Sequence, residues 1–229
     1  MATPLDLQEQ EQLDALKAFW KSHGNLITWV LIAVLGAYAA WNGWNIYQRD
    51  QGLKASAMFD ELDRAVQAGD ADKAGRVFGD LKSRFPGTAF TDHGALAAAQ
   101  VQFDKGAMDA AKASLTWLAD NGADAELRTV ARLRLAGILL QAKQYDEAIQ
   151  QLDAAKGADF AALVADRRGD VLSAQGKNEE AKAAFQVAYK AMDERTEYRR
   201  LIDAKLTALG AAPAASAASA ASAASGVAQ

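Results

Sequence analysis

The stretch RLRLAGILLQAKQYDEAIQQLDAA (132–155) and its successor ADRRGDVLSAQGKNEEAKAAFQVA (165–188) decide the fold. Each reads as two amphipathic helices joined by a short turn. The residues are strong helix formers: Ala, Leu, Glu, Lys, Gln and Arg. From 49 to 209 no run alternates polar and apolar with period two, as a half-buried strand would. A turn residue, Lys143 or Gly176, divides each stretch. Five positions later comes Ala148 or Ala181, and four after that Leu152 or Phe185. The same spacing recurs upstream as Gly69, Ala74, Phe78 and as Gly106, Ala111, Leu115. The alanines are thus 37, 37 and 33 residues apart.

That period is near the roughly 34 residues of a tetratricopeptide helical hairpin. The physical reasons are local. Gly ends the first helix, where a left-handed backbone is often needed. Ala sits where the two helices cross and only a small side chain fits. Phe or Leu fills the space between neighbouring units. Ala99, Ala136 and Gly169 match the small residue of the first helix, and Tyr145 is a turn-packing aromatic. The first unit, with Ala71 in place of that aromatic, is the least typical. Pro86 falls between units, where a helix must stop. Tyr198, Leu201, Ile202, Leu206 and Leu209 give a last helix one apolar face, suited to cover the open end of the stack. From Gly210 onward an Ala/Ser tail, with Ser at 216, 219, 222 and 225, has nothing to bury and predicts disorder or a fraying helix.

Ahead of the repeats lie 27 residues without a formal charge, between Lys21 and Arg49. Their apolar centre is LITWVLIAVLGAYAAW (26–41), flanked by Trp44 and Tyr47. About 20 apolar residues cross a bilayer as a helix, and Trp and Tyr favour its interfaces. The segment predicts a membrane helix. A signal peptide is the second reading, with Ala37-Tyr38-Ala39 as a cleavage site. The long, acid-rich start favours an uncleaved signal-anchor instead. A buried core helix is the third reading. Lys17 and Lys21 on one side nearly balance Arg49, Lys54 and Arg64 on the other, so flanking charge leaves the orientation open. Leu13, Leu16, Phe19 and Trp20 suggest a short amphipathic helix before the span, as a polar lead-in or a partner-binding element.

The fold class expected is therefore all-α: one N-terminal transmembrane helix and a tetratricopeptide-type right-handed solenoid of helical hairpins. The expected divisions are an amphipathic segment (1–24), the membrane helix (25–48), the repeats with their capping helix (49–209) and the tail (210–229).

Composition narrows the function. The net charge is −4 and there is no Cys. An acidic chain is a poor ligand for nucleic acid, and a thiol nucleophile or thiolate metal site is excluded. No phosphate loop, zinc-protease motif or nucleophile elbow is present. His23 and His93 are isolated. The acidic pairs Asp146-Glu147 and Glu179-Glu180 open second helices, where the helix dipole favours them. Neither an enzymatic activity, a cofactor nor a metal is expected. A hairpin stack instead offers a concave surface to proteins. Its first-helix positions, by register, are Leu96, Gln100, Phe103, Leu133, Leu140, Asp166, Asp170 and Ser173: an apolar middle with an acidic end. Leu96, Leu133 and Leu140 serve equally well as core. Asp166 and Asp170 stand where chaperone adaptors that grip a C-terminal carboxylate carry Lys and Asn, which argues against that role.

Three stretches carry a more specific likeness: EQEQLDALKAFWKSHGN with the apolar span and KASAMFDEL (54–62), SRFPGTAFTDHGALAAA (83–99), and RGDVLSAQGKNEEAKAAFQVAYKA (168–191). Over about residues 8–209 the chain resembles the YfgM-like ancillary SecYEG translocon subunits. The resemblance implies a single-pass bacterial inner-membrane protein with a cytoplasmic N-terminus and periplasmic repeats. It implies the SecYEG translocon, a PpiD-like periplasmic chaperone and unfolded exported proteins as partners, besides membrane lipid around the span. No catalytic residue comes with it. The alternative is a tetratricopeptide scaffold for another cell-envelope or division complex.

Overall fold

A computed structural model describes residues 7–193 and 195–211, with side chains described from residue 11. All regular structure among them is helical: α1 (Leu7–Gln67), α2 (Ala71–Arg84), α3 (Ala89–Asp104), α4 (Met108–Asn121), α5 (Ala125–Gln141), α6 (Tyr145–Ala154), α7 (Ala161–Ala174), α8 (Asn178–Ala191) and α9 (Tyr198–Ala208). A short 3-10 turn, Ala158–Phe160, precedes α7. The tail expected from 210 lies, beyond residue 211, outside the described residues, as do the first six residues of the N-terminal segment.

The chain divides into two units, Met1–Gln51 and Gly52–Gln229. In the first, α1 carries a row of exposed apolar side chains from Leu26 to Tyr47, and the amphipathic candidates Leu13, Leu16, Phe19 and Trp20 are exposed as well. The Phe19 ring stacks on His23 at 4.9 Å. By length and composition α1 is able to cross a bilayer.

In the second unit the repeats become hairpins. Helix α3 pairs with α4, α5 with α6 and α7 with α8, and α9 follows the stack. The last turns of α1 meet α2 where Ala65 and Ala74 share a buried cluster and Glu61 pairs with Lys73 at 3.3 Å. The turn residues Gly69, Gly106, Lys143 and Gly176 all have positive φ, at 67°, 78°, 59° and 78°. In each turn the next residue's N–H reaches the carbonyl five positions back: Asp70 to Ala65, Ala107 to Gln102, Gln144 to Leu139 and Lys177 to Leu172, at 2.8–2.9 Å. This closure satisfies carbonyls that a helix end leaves unpaired. Lys143 bears a Cβ in the left-handed region, which costs an L residue about 1–2 kcal/mol. Lys143→Gly is expected to stabilise the domain by about 1 kcal/mol, read as a raised denaturant midpoint. A lowered midpoint would mean that the Lys143 side chain contributes more than its backbone strain.

The repeat alanines Ala74, Ala111, Ala148 and Ala181 have no exposed surface, and Phe78, Leu115, Leu152 and Phe185 are at most 2% exposed. Burial of each such large side chain contributes about 1.5–3 kcal/mol. Ala55, Leu62, Phe78, Leu81, Leu115, Leu135, Leu139 and Leu152 belong to one continuous core, and Leu172, Phe185, Ile202 and Leu206 to a second that includes α9. The shorter last period reflects α6, which has 10 residues against 14 in α2, α4 and α8.

Candidate partner-binding groove

The first helices α3, α5 and α7 lie side by side along the stack. Between them is an open cavity of about 410 Å³. Phe103 on α3 and Leu133 and Leu140 on α5 supply its half-buried apolar floor. Gln100, Gln141, Arg134 and Arg167 line it with polar groups. Gly137 leaves the floor open. A Cβ placed there would sit 3.9 Å from the Arg167 guanidinium, which reaches across from α7. Four of the eight residues expected by register, Gln100, Phe103, Leu133 and Leu140, meet at this cavity. Leu96 is half-buried against the core, and Ser173 is half-buried on α7 away from the cavity.

The acidic end expected for the groove is not an open surface. Asp166 is 1% exposed. Its Oδ2 accepts a hydrogen bond from Tyr198 Oη at 2.7 Å, and its Oδ1 lies 2.8 Å from Lys205 Nζ. Lys205 also meets Asp170 Oδ1 at 2.7 Å. Both donors come from α9, so these carboxylates fasten the capping helix. Burial is the main cause that pushes the Asp170 carboxyl above its ordinary range, against the pull of Lys205. Burial, then the hydrogen bond to Asp166, holds the Tyr198 phenol above its own range.

Asp92, in the first turn of α3, has no exposed surface. Its Oδ2 accepts the Asp124 N–H at 2.9 Å, where α5 begins, and so joins two hairpins, while Oδ1 has no hydrogen-bond partner among the described residues. Burial raises its carboxyl from the ordinary 3.8. A raised folded value means that the native state holds more protons than the unfolded chain between the ordinary value and the raised one. Stability therefore falls as pH rises through that window. Asp92→Asn is expected to lessen this decline, with Asp170 left to produce the rest. Melting temperatures across mildly acidic to neutral pH measure it, and an unchanged slope would contradict the assignment.

The register reading missed Arg134, Gly137 and Arg167. Arg134 follows Leu133 directly and Gly137 follows one turn later, so helical periodicity carried the signal once α5 was placed beside α7. His93 is exposed on α3. No group of three His, Asp or Glu able to hold a metal occurs among the described residues.

A tetratricopeptide repeat-like domain family matches residues 17–211, apolar segment included. The ancillary SecYEG translocon subunit of Neisseria gonorrhoeae is 31% identical over 207 residues, 89% of this chain and 98% of that protein. Its counterpart in Escherichia coli is 32% identical over 185 residues, 80% of this chain and 87% of that one. The Haemophilus influenzae protein is 30% identical over 184 residues, 80% and 89% of the two chains. Repeat turns, capping helix and apolar segment thus fall within one aligned region, and the chain belongs to the ancillary SecYEG translocon subunit family.

Proposed function

We propose that this chain is a membrane-anchored protein-interaction module at the SecYEG translocon of a bacterial inner membrane. Residues 25–48 cross the bilayer once. The repeats stand in the periplasm, beside a PpiD-like chaperone, and help hand newly exported, unfolded proteins onward. One observation carries the reading. Leu26, Trp29, Val30, Leu31, Ile32, Val34, Leu35 and Tyr38 are each more than half exposed, on a chain whose relatives are named translocon subunits. So long an apolar surface is costly in water and stable in lipid. Trp41, Trp44 and Tyr47 suit the interface at one end; the Trp44 and Tyr47 rings are 5.9 Å apart.

The mechanism requires no covalent step. The anchor confines the repeats near the channel and raises their effective concentration there. A shallow groove with an apolar floor and polar rim then binds a partner weakly enough to release it. Affinity purification of the tagged full chain from native membranes is expected to recover SecYEG subunits, and deletion of residues 1–48 to abolish the recovery. Full recovery with the repeats alone would refute the anchor's role. Recovery of a division or envelope-assembly complex in place of SecYEG would favour the scaffold alternative.

A further inference from the structure

Two arginines share the cavity between α3, α5 and α7. Arg134 is exposed on α5, lines the cavity and makes no ion pair among the described residues. Arg167 reaches over Gly137, one helical turn from Arg134. Its carboxylate neighbour is Asp170 at 3.8 Å, and that carboxylate is held more closely by Lys205 at 2.7 Å. The positive charge beside the apolar floor is therefore only partly compensated, although the chain as a whole is acidic.

Guanidinium groups prefer carboxylates, which they bind by paired, charge-assisted hydrogen bonds. The floor beneath them is Phe103, Leu133 and Leu140, half-buried and adjacent. Gln100 and Gln141 flank it with amides able to bond a peptide backbone. We propose that this groove selects a segment of a partner protein in which one Asp or Glu side chain is set among apolar ones. The carboxylate lies between Arg134 and Arg167, and the apolar neighbours cover Phe103, Leu133 and Leu140. The proposal rests on the protein-binding role given above and adds the chemistry of the partner.

The test uses the full chain in lipid nanodiscs and three fluorescent peptides. They share apolar flanks and differ only in a central Glu, Gln or Lys. Fluorescence anisotropy is expected to rank them Glu, then Gln, then Lys, with Glu roughly tenfold tighter than Gln. Arg134→Glu, at an exposed position that leaves the fold intact, is expected to abolish the Glu preference and favour Lys. Leu133→Ala is expected to weaken all three alike. Equal binding of the three peptides, an unchanged ranking in Arg134→Glu, or no binding at all would overturn the proposal. None of these outcomes affects the recovery of SecYEG from membranes, so failure here is distinct from failure of the translocon role.

Discussion

Lys205→Met is expected to unfasten α9 and cost the repeat domain about 3–5 kcal/mol, the usual penalty for removing one partner from a buried ion pair. The lysine ammonium lies between Asp166 and Asp170, and the Asp166 side chain is only 2% exposed. Without Lys205 both carboxylates face each other in a partly dry site with only Tyr198 and Arg167 left to them. Met retains most of the apolar stem, so the loss reports charge more than packing. In a hairpin stack each unit depends on its neighbours, so the damage begins at the end of the stack. Hydrogen exchange in Tyr198–Ala208 is expected to accelerate first, then exchange in α8. Adding Asp166→Asn and Asp170→Asn to Lys205→Met is expected to recover part of the stability, because the uncompensated charge is gone. Unchanged protection of α9 in Lys205→Met would show that Ile202 and Leu206 alone hold the helix.

Phe185→Ala is expected to cost about 3–5 kcal/mol as well, for a different reason. The ring is 2% exposed and fills the space over Gly169. A Cβ on Gly169 would come within 2.8 Å of Phe185 Cζ and closer to two other ring carbons. The helices α7 and α8 thus meet with glycine on one side and a full aromatic ring on the other. Removal of the ring leaves a cavity that neighbouring helices cannot close without moving. The Lys205 ammonium lies 5.2 Å from the ring centroid, so the loss extends to the capping helix. Gly169→Ala tests the same contact from the other side. Ala is worth about 1 kcal/mol more than Gly in a helix, yet overpacking costs about 1–3 kcal/mol, so a net loss is expected. Combining Gly169→Ala with Phe185→Leu is expected to cost less than the sum of the two. Strict additivity in urea denaturation would contradict direct contact between these positions.

What the sequence made legible follows range of interaction. The hairpin turns are local, so Gly69, Gly106 and Gly176 marked them, and Lys143 was placed with them despite its side chain. The crossing alanines and the small Gly169 were legible for the same reason: steric limits recur with the repeat. The apolar face of α9 announced a cap. The partner of its polar side did not, since Lys205 and Asp166 are 39 residues apart and no periodicity links them. Asp166 and Asp170 therefore read as groove residues, whereas they hold α9 down. Arg134 and Arg167 were hidden by the opposite effect. Charged residues on a helix normally face solvent, and only the approach of α7 to Gly137 brings these two to one cavity. Asp92 carries no periodic signal of its own, since its burial depends on where α5 begins, 32 residues on.

The proposed role requires the repeats to stand on the far side of the inner membrane from the cytoplasm, beside the translocon. Protease accessibility tests it most directly. The tagged chain is exposed to protease in intact cells, in cells with a permeabilised outer membrane and in lysed cells. Protection in intact cells is expected, and digestion of the repeats once the outer membrane alone is opened. Protection until the inner membrane is broken would put the repeats in the cytoplasm and contradict the proposed role.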